Sequence, residues 1–150
     1  MTERAAKALR IVSCGPGASL QDGGRFGLQR YGVSPAGAMD GESLAVANSL
    51  VGNAPGAAAI ETMLTGGAFV VEGGPALVAA AGAELSIGGR RVPPLTSAVA
   101  EPGETILLGP ARDCVYAYVA IAGGFAQEPE LGSLSLHRRS GIGGAPLAAG

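Results

Sequence analysis

The sequence predicts a mainly β protein with one main α-helix near residues 40–51. Three observations carry that reading. Downstream of Pro55 the chain is a succession of short apolar runs cut by Gly and Pro, the pattern of many short strands joined by turns. One stretch upstream of it has a helical period, framed by a capping residue and a Gly-Asn stop. Apolar residues make up 47% and charged residues 15% of the 150-residue chain, enough core material for one domain.

Residues 9–13 read as a first strand, stopped by Gly15-Pro16-Gly17. Residues 15–39 form a long, polar, glycine-rich loop, and a loop of that length is usually functional or packed on itself. The helix follows. Asp40 suits the N-cap, Glu42 lies in the first turn where the dipole favours an anion, and Leu44, Ala47, Leu50 and Val51 make one apolar face. Gly52-Asn53 ends it and Pro55 prevents continuation. Asn48 sits at the edge of the apolar face and reads as a buried amide with its partners satisfied.

Strands are expected at residues 59–64, 68–72 and 76–81. Residues 84–87 and 91–92 flank Gly88-Gly89, a tight hairpin signal. Residues 96–100 and 105–108 flank Glu101-Pro102-Gly103-Glu104, a second turn. Residues 115–122, with Tyr116 and Tyr118 on one side, should form a central, buried strand. So many short strands suggest a closed or near-closed barrel. The tail, residues 127–150, is rich in Gly, Ser and Ala, and is expected to pack loosely.

The polar residues that look placed are Gln21, Asp22, Arg25, Arg30, Asp40, Asn48, Asn53 and Glu61. Gln21-Asp22-Gly23-Gly24-Arg25 sets an amide, a carboxylate and a guanidinium among flexible backbone positions. Such a cluster either binds a polar substrate or ties the loop to itself by charge-assisted hydrogen bonds. Asp40 has the same two readings, ligand contact or helix cap.

Several chemistries are excluded or disfavoured. The net charge is −2, Lys7 is the single lysine, and Arg90-Arg91 and Arg138-Arg139 are isolated pairs, so no basic stripe exists for nucleic acid. Cys14 and Cys114 read as reduced thiols, and with His137 as the lone histidine neither a zinc site nor Cys-His catalysis is expected. Gly15-Pro16-Gly17-Ala18-Ser19 lacks the lysine of a phosphate loop. No leader and no membrane span are read from the sequence, which points to the cytoplasm.

One further pattern runs through residues 16–61: Pro16-Gly17, Gln21-Asp22-Gly23-Gly24-Arg25, Gly32-Val33, Gly37-Ala38-Met39-Asp40, Ala47-Asn48-Ser49-Leu50-Val51-Gly52-Asn53, and Glu61. It resembles the family of the 5-oxoprolinase C subunit, also described as biotin-dependent carboxyltransferase or allophanate hydrolase subunit 2. Ala122-Gly123-Gly124 and Leu131-Gly132-Ser133 extend the likeness. Members of that family are about twice as long, so the chain resembles their N-terminal half, with residues 1–130 as the domain and 131–150 as a linker toward a second one. Where the family often has Gly-Ser-Arg-Ser-Thr, this chain has Gly132-Ser133-Leu134-Ser135-Leu136.

The resemblance implies a cyclophilin-like β-barrel working within a multi-subunit enzyme. It implies an ATP-dependent 5-oxoprolinase that opens 5-oxo-L-proline to L-glutamate with 5-oxoprolinase subunits A and B, the ATP being used by the complex and no cofactor held by this chain. The alternatives are the carboxyltransferase half of a urea carboxylase and allophanate hydrolase system, and a non-catalytic antagonist of a kinase inhibitor resembling the B subunit. Under the enzymatic readings Arg25 would face a carboxylate or oxyanion and Asp22 would orient it. Gln21, Asp40, Asn53 and Glu61 would contact substrate.

Overall fold

The computed structural model describes residues 7–150. The reading that no leader is present falls on the opening residues and so lies largely outside the described ones. The architecture is mainly β, with ten strands and one α-helix among the described residues. The strands are β1 (Ala8–Cys14), β2 (Ser19–Gln21), β3 (Ala59–Met63), β4 (Gly67–Glu72), β5 (Ala76–Ala81), β6 (Ala83–Ile87), β7 (Arg90–Val92), β8 (Ser97–Ala100), β9 (Thr105–Ala111) and β10 (Tyr116–Ile121). The helix α1 spans Gly41–Leu50 between β2 and β3.

The expected barrel is not closed by hydrogen bonds. The strands divide into two five-stranded antiparallel sheets, ordered β1-β4-β9-β6-β7 and β2-β3-β10-β5-β8. The chain crosses between them at most of its connections, among them Gly82, where β5 ends in one sheet and β6 starts in the other, and the Glu101–Glu104 turn between β8 and β9. That turn therefore links two sheets instead of closing a hairpin. Gly88-Gly89 does close one: β6 and β7 pair from Leu85↔Val92 to Ile87↔Arg90. Both glycines have positive φ, 55° and 79°, the backbone that a tight type I′ turn demands.

The facing sides of the sheets form the main core from Leu20, Ile60, Phe69, Val71, Val78, Ile87, Ile106, Leu108 and Val119. Strand β10 is central in its sheet and buried on both faces. Its alternation splits the side chains: Ala117 and Val119 enter the inter-sheet core, while Tyr118 and Ala120 point outward beneath α1. Helix α1 covers that face with Leu44, Ala47 and Val51. Asp40 caps the helix as expected, accepting from the Ser43 N–H at 3.0 Å.

Two local expectations are corrected. The polar segment 15–39 is not one uninterrupted loop: it contains β2, paired in register with β3 at Ser19↔Glu61, and a short 3-10 turn at Gln29–Tyr31. The tail is not loosely packed at its start. Ser133, Ser135 and Leu136 are buried, and Leu136 N–H donates to the Leu20 carbonyl at 3.2 Å. Residues 130–136 thus form a strap laid along the outer edge of β2.

Candidate functional site

The polar loop between β2 and α1 is crossed over itself. Arg25 N–H donates to Pro35 O at 2.8 Å, Ala38 N–H to Asp22 O at 3.0 Å, and Gly23 N–H to Gly56 O at 3.1 Å. The crossing needs glycine. Gly24 has φ 89° and a side-chain carbon there would lie 2.9 Å from Pro35 O, while one on Gly37, φ 98°, would lie 3.3 Å from Gly23.

Three side-chain networks hold this loop and the helix that follows it, each reaching across the sequence. The first joins it to the strap. The Asp22 carboxylate accepts from Gly24 N–H (2.8 Å), Ser133 Oγ (2.6 Å), Ser135 Oγ (2.6 Å) and Leu134 N–H (2.7 Å). Burial alone would raise its pKa, but these donors, led by the two serine hydroxyls, outweigh burial and hold it below the usual carboxylate range. Arg25 grips the same strap with Nη2 to Ser135 O (2.6 Å) and Ser133 O (3.4 Å) and Nε to Glu130 O (3.3 Å). Gln21 adds Nε2 to Leu136 O at 3.0 Å.

The expected direct pairing of Asp22 with Arg25 does not form. Among the described residues no carboxylate lies within ion-pair distance of the Arg25 guanidinium. The two charges act on opposite sides of one strap: Asp22 takes its hydroxyls and an amide, and Arg25 takes its carbonyls. Arg25 is 2% exposed, and its Nη1, like Gln21 Oε1, has no hydrogen-bond partner among the described residues.

The second network fixes the entry to α1. Glu61, on β3, accepts from Met39 N–H at 2.8 Å and from the Tyr118 hydroxyl at 2.6 Å. The same hydroxyl accepts from Asp40 N–H at 2.8 Å. Burial, then the hydrogen bond to Glu61, push the Tyr118 pKa far upward, so the hydroxyl stays protonated and donates. Asp40 is held below its ordinary pKa by the Ser43 hydroxyl and then the Ser43 N–H.

The third network locks the exit from α1. Asn48 donates to Ala57 O at 2.7 Å and accepts from Asn53 Nδ2 at 3.0 Å. Asn53 Nδ2 also donates to Ile121 O at 2.9 Å, and its Oδ1 accepts from Gly123 N–H at 2.9 Å. Asn48 is the satisfied buried amide that the sequence suggested.

Of the expected site residues, Gln21, Asp22 and Arg25 converge on the strap, Asp40 and Glu61 meet through Tyr118, and Asn53 lies apart at the other end of the helix. Sequence reasoning missed Tyr118, Ser133 and Ser135 as site partners. Signals for them existed: a tyrosine in a strand buried on both faces needs a hydroxyl partner, and Ser-Leu-Ser puts two hydroxyls on one side of an extended chain.

A groove of about 360 Å³ opens between the loop and the first turns of α1, lined by Asp22, Gly23, Phe26, Ala36–Ala38, Gly41, Leu44, Ala45 and Pro55–Gly56. Asp22 is its one charged lining residue among those described, so a nucleotide triphosphate does not fit this donor set. Phe26, Tyr31 and Met39 stand exposed on the loop, and the Arg30 guanidinium stacks on Tyr31 at 4.7 Å. A second cleft of about 370 Å³ lies between α1, the β5–β6 corner and residues 91–96.

Fold and site together define a two-sheet β domain whose glycine-rich loop is locked by long-range polar contacts over a small groove with one charged wall residue. The chain belongs to the carboxyltransferase domain family, subdomain A and B, whose model matches residues 31–150. It is 34% identical to the 5-oxoprolinase C subunit of Escherichia coli over 91% of this chain and 44% of that protein. It is equally 34% identical to urea amidolyase of Saccharomyces cerevisiae over 91% of this chain and 8% of that one. The crystal structure of TTHA0988 matches with a TM-score of 0.89 and 34% identity, over 100% of this chain and 31% of that one. The chain therefore spans less than half the length of these curated relatives.

Proposed function

We propose that this chain is part of an ATP-dependent 5-oxoprolinase, working in the cytoplasm with subunits A and B to hydrolyse 5-oxo-L-proline to L-glutamate. The observation that carries this reading is the 34% identity to a 5-oxoprolinase C subunit across 91% of the chain. The groove supports it: about 360 Å³ with apolar walls and one carboxylate suits a neutral lactam ring. Among the described residues the same lining has no cation for the substrate carboxylate or for a nucleotide phosphate, so under this reading those contacts fall to groups outside this groove. Asp22, Arg25 and Gln21 act as positioning residues that keep the loop over the groove, and Glu61, Asp40 and Asn53 fix the helix that forms its other wall.

The test is reconstitution. Subunits A and B are mixed with this chain, and in parallel with a full-length C subunit, and ATP-dependent glutamate release from 5-oxoproline is measured. Turnover is expected only in mixtures with the partners. ATP turnover by the isolated chain, or no 5-oxoproline turnover in the full-length mixture carrying this loop, overturns the proposal. A second reading, urea carboxylation, is favoured by the equal identity to urea amidolyase; replacing 5-oxoproline by urea, with a biotin carboxylase supplied, distinguishes the two. Binding to the B subunit with no change in glutamate output would mark a regulator instead.

A further inference from the structure

The loop between β2 and α1 is not held evenly along its length. Its ends are anchored, whereas residues 26–34 form an excursion closed at its base by the Arg25 N–H bond to Pro35 O at 2.8 Å. The other hydrogen bonds of this stretch among the described residues stay inside residues 26–36. Tyr31 N–H and Val33 N–H donate to Leu28 O (2.9 and 3.4 Å), Gly32 N–H to Gln29 O (2.9 Å), Gly27 N–H to Gln29 Oε1 (3.0 Å) and Ala36 N–H to Ser34 Oγ (3.3 Å). Phe26, Leu28, Tyr31 and Val33 enter neither apolar cluster. A segment with so few outside contacts moves more readily than the frame that carries it.

Phe26, at the start of the excursion, borders the groove and is 72% exposed. Asp22 is the one charged residue of the described lining, and both of its oxygens are engaged by the strap and Gly24. A ligand that carries a carboxylate therefore needs a cation from beside the groove. The loop holds two arginines. Arg25 is buried and committed to the carbonyls of the strap. Arg30 is exposed and has no ion pair among the described residues, and its guanidinium rests on the Tyr31 ring at 4.7 Å. The backbone from Phe26 to Arg30 spans at most about 14 Å, so Arg30 sits close to the groove's open side. A stack on an exposed ring holds a guanidinium loosely, whereas the planar fork on a carboxylate makes two charge-assisted bonds.

Resting on the lactam reading of the groove, we propose that Arg30 is the residue that recognises the ligand's carboxylate. The excursion folds over the groove on its Arg25–Pro35 base, laying Phe26 against the ring and bringing the Arg30 guanidinium to the carboxylate at the open side. The anchored parts of the loop keep the groove walls in place while the excursion moves. Arg30 thereby selects an acidic lactam over a neutral one. A neutral amide such as urea gives Arg30 nothing to pair with, so the residue also separates the two readings of the function.

An NMR titration of the chain with 5-oxo-L-proline, and with butyrolactam, the same ring without its carboxylate, reads the outcome. Wild type is expected to bind 5-oxoproline about tenfold more tightly than butyrolactam. Arg30→Gln is expected to bind the two alike with an unchanged melting temperature, and Arg30→Lys to keep part of the preference, because it keeps the charge and loses the fork. An equal preference for 5-oxoproline in wild type and Arg30→Gln overturns the role of Arg30 and leaves the lactam reading standing. Binding of neither ring by wild type overturns the lactam reading and the role of Arg30 with it. Amide exchange of wild type decides the closure without any substitution: the amides of residues 27–33 are expected to slow when 5-oxoproline saturates the chain, and unchanged exchange there refutes it.

Discussion

Replacing Asp22 by Asn tests the strap most directly, because the change is nearly isosteric and removes only the charge and one acceptor. The carboxylate receives donors on both oxygens, three on Oδ1 and the Leu134 N–H on Oδ2. An asparagine that keeps its oxygen toward Ser133, Ser135 and Gly24 must point its NH2 at the Leu134 N–H, donor against donor. Charge-assisted bonds contribute about 1.5–3 kcal/mol each against roughly 1 kcal/mol for neutral ones. One bond lost and three weakened sum to about 3–9 kcal/mol, and the partial solvent access of Asp22 reduces the net to about 2–4 kcal/mol. For a domain of this size that is a fall of roughly 5–15 °C in Tm. Thermal melting by circular dichroism measures it, and amide exchange at Leu134 and Ser135 should accelerate more than exchange in β10. An unchanged Tm together with unchanged exchange at Leu134 would refute the account of the strap.

Three other outcomes are expected. Arg25→Lys keeps the charge but loses the planar fork that reaches Glu130, Ser133 and Ser135, and should cost about 1–3 kcal/mol in melting; lost turnover in the reconstituted complex with an unchanged Tm would instead place Arg25 on substrate. Tyr118→Phe leaves Asp40 N–H without its acceptor and Glu61 Oε2 with Met39 N–H as its one remaining donor among the described residues, and should destabilise by about 1–2 kcal/mol, read by urea unfolding. Acid should destabilise the fold: Asp22 and Asp40 have folded pKa values below 3.8, so their contribution is present above the unfolded value and is lost as pH falls through the folded one. Tm measured against pH should drop below about pH 4, and the gap between wild type and Asp22→Asn should narrow there.

Much of the fold was legible because glycine and proline punctuate it. Eight of the ten strands and the capped helix fall where apolar runs meet those residues, and β7 was visible from Gly88-Gly89 alone. What was not legible is long-range. Strand β2 has three residues and exists because β3 lies beside it, and no local alternation marks so short a segment. The assignment of β8 and β9 to different sheets cannot be read from a turn that looks like a hairpin. At the site, the identity of the polar residues was readable but their partners were not. Asp22 meets Ser133 and Ser135 over separations of 111 and 113 residues, and the Gly-Ser-Ala composition of the tail suggested looseness because the residues that order it lie at the other end of the chain.

The placement of these polar residues also bears on how the groove can work. A crossed loop with this many glycines would lose much conformational entropy on binding if it were free. Here Asp22 and Arg25 fix its start, Glu61 and Tyr118 fix its end, and Asn48 and Asn53 fix the segment after the helix. These contacts hold both ends of the loop where it borders the groove, so a ligand entering the groove would meet walls that are already ordered there. It follows that substitutions in these networks should weaken ligand binding by loosening the loop, and that restoring rigidity elsewhere in the loop should recover it. A substitution at a group that touches the ligand would not be recovered in that way.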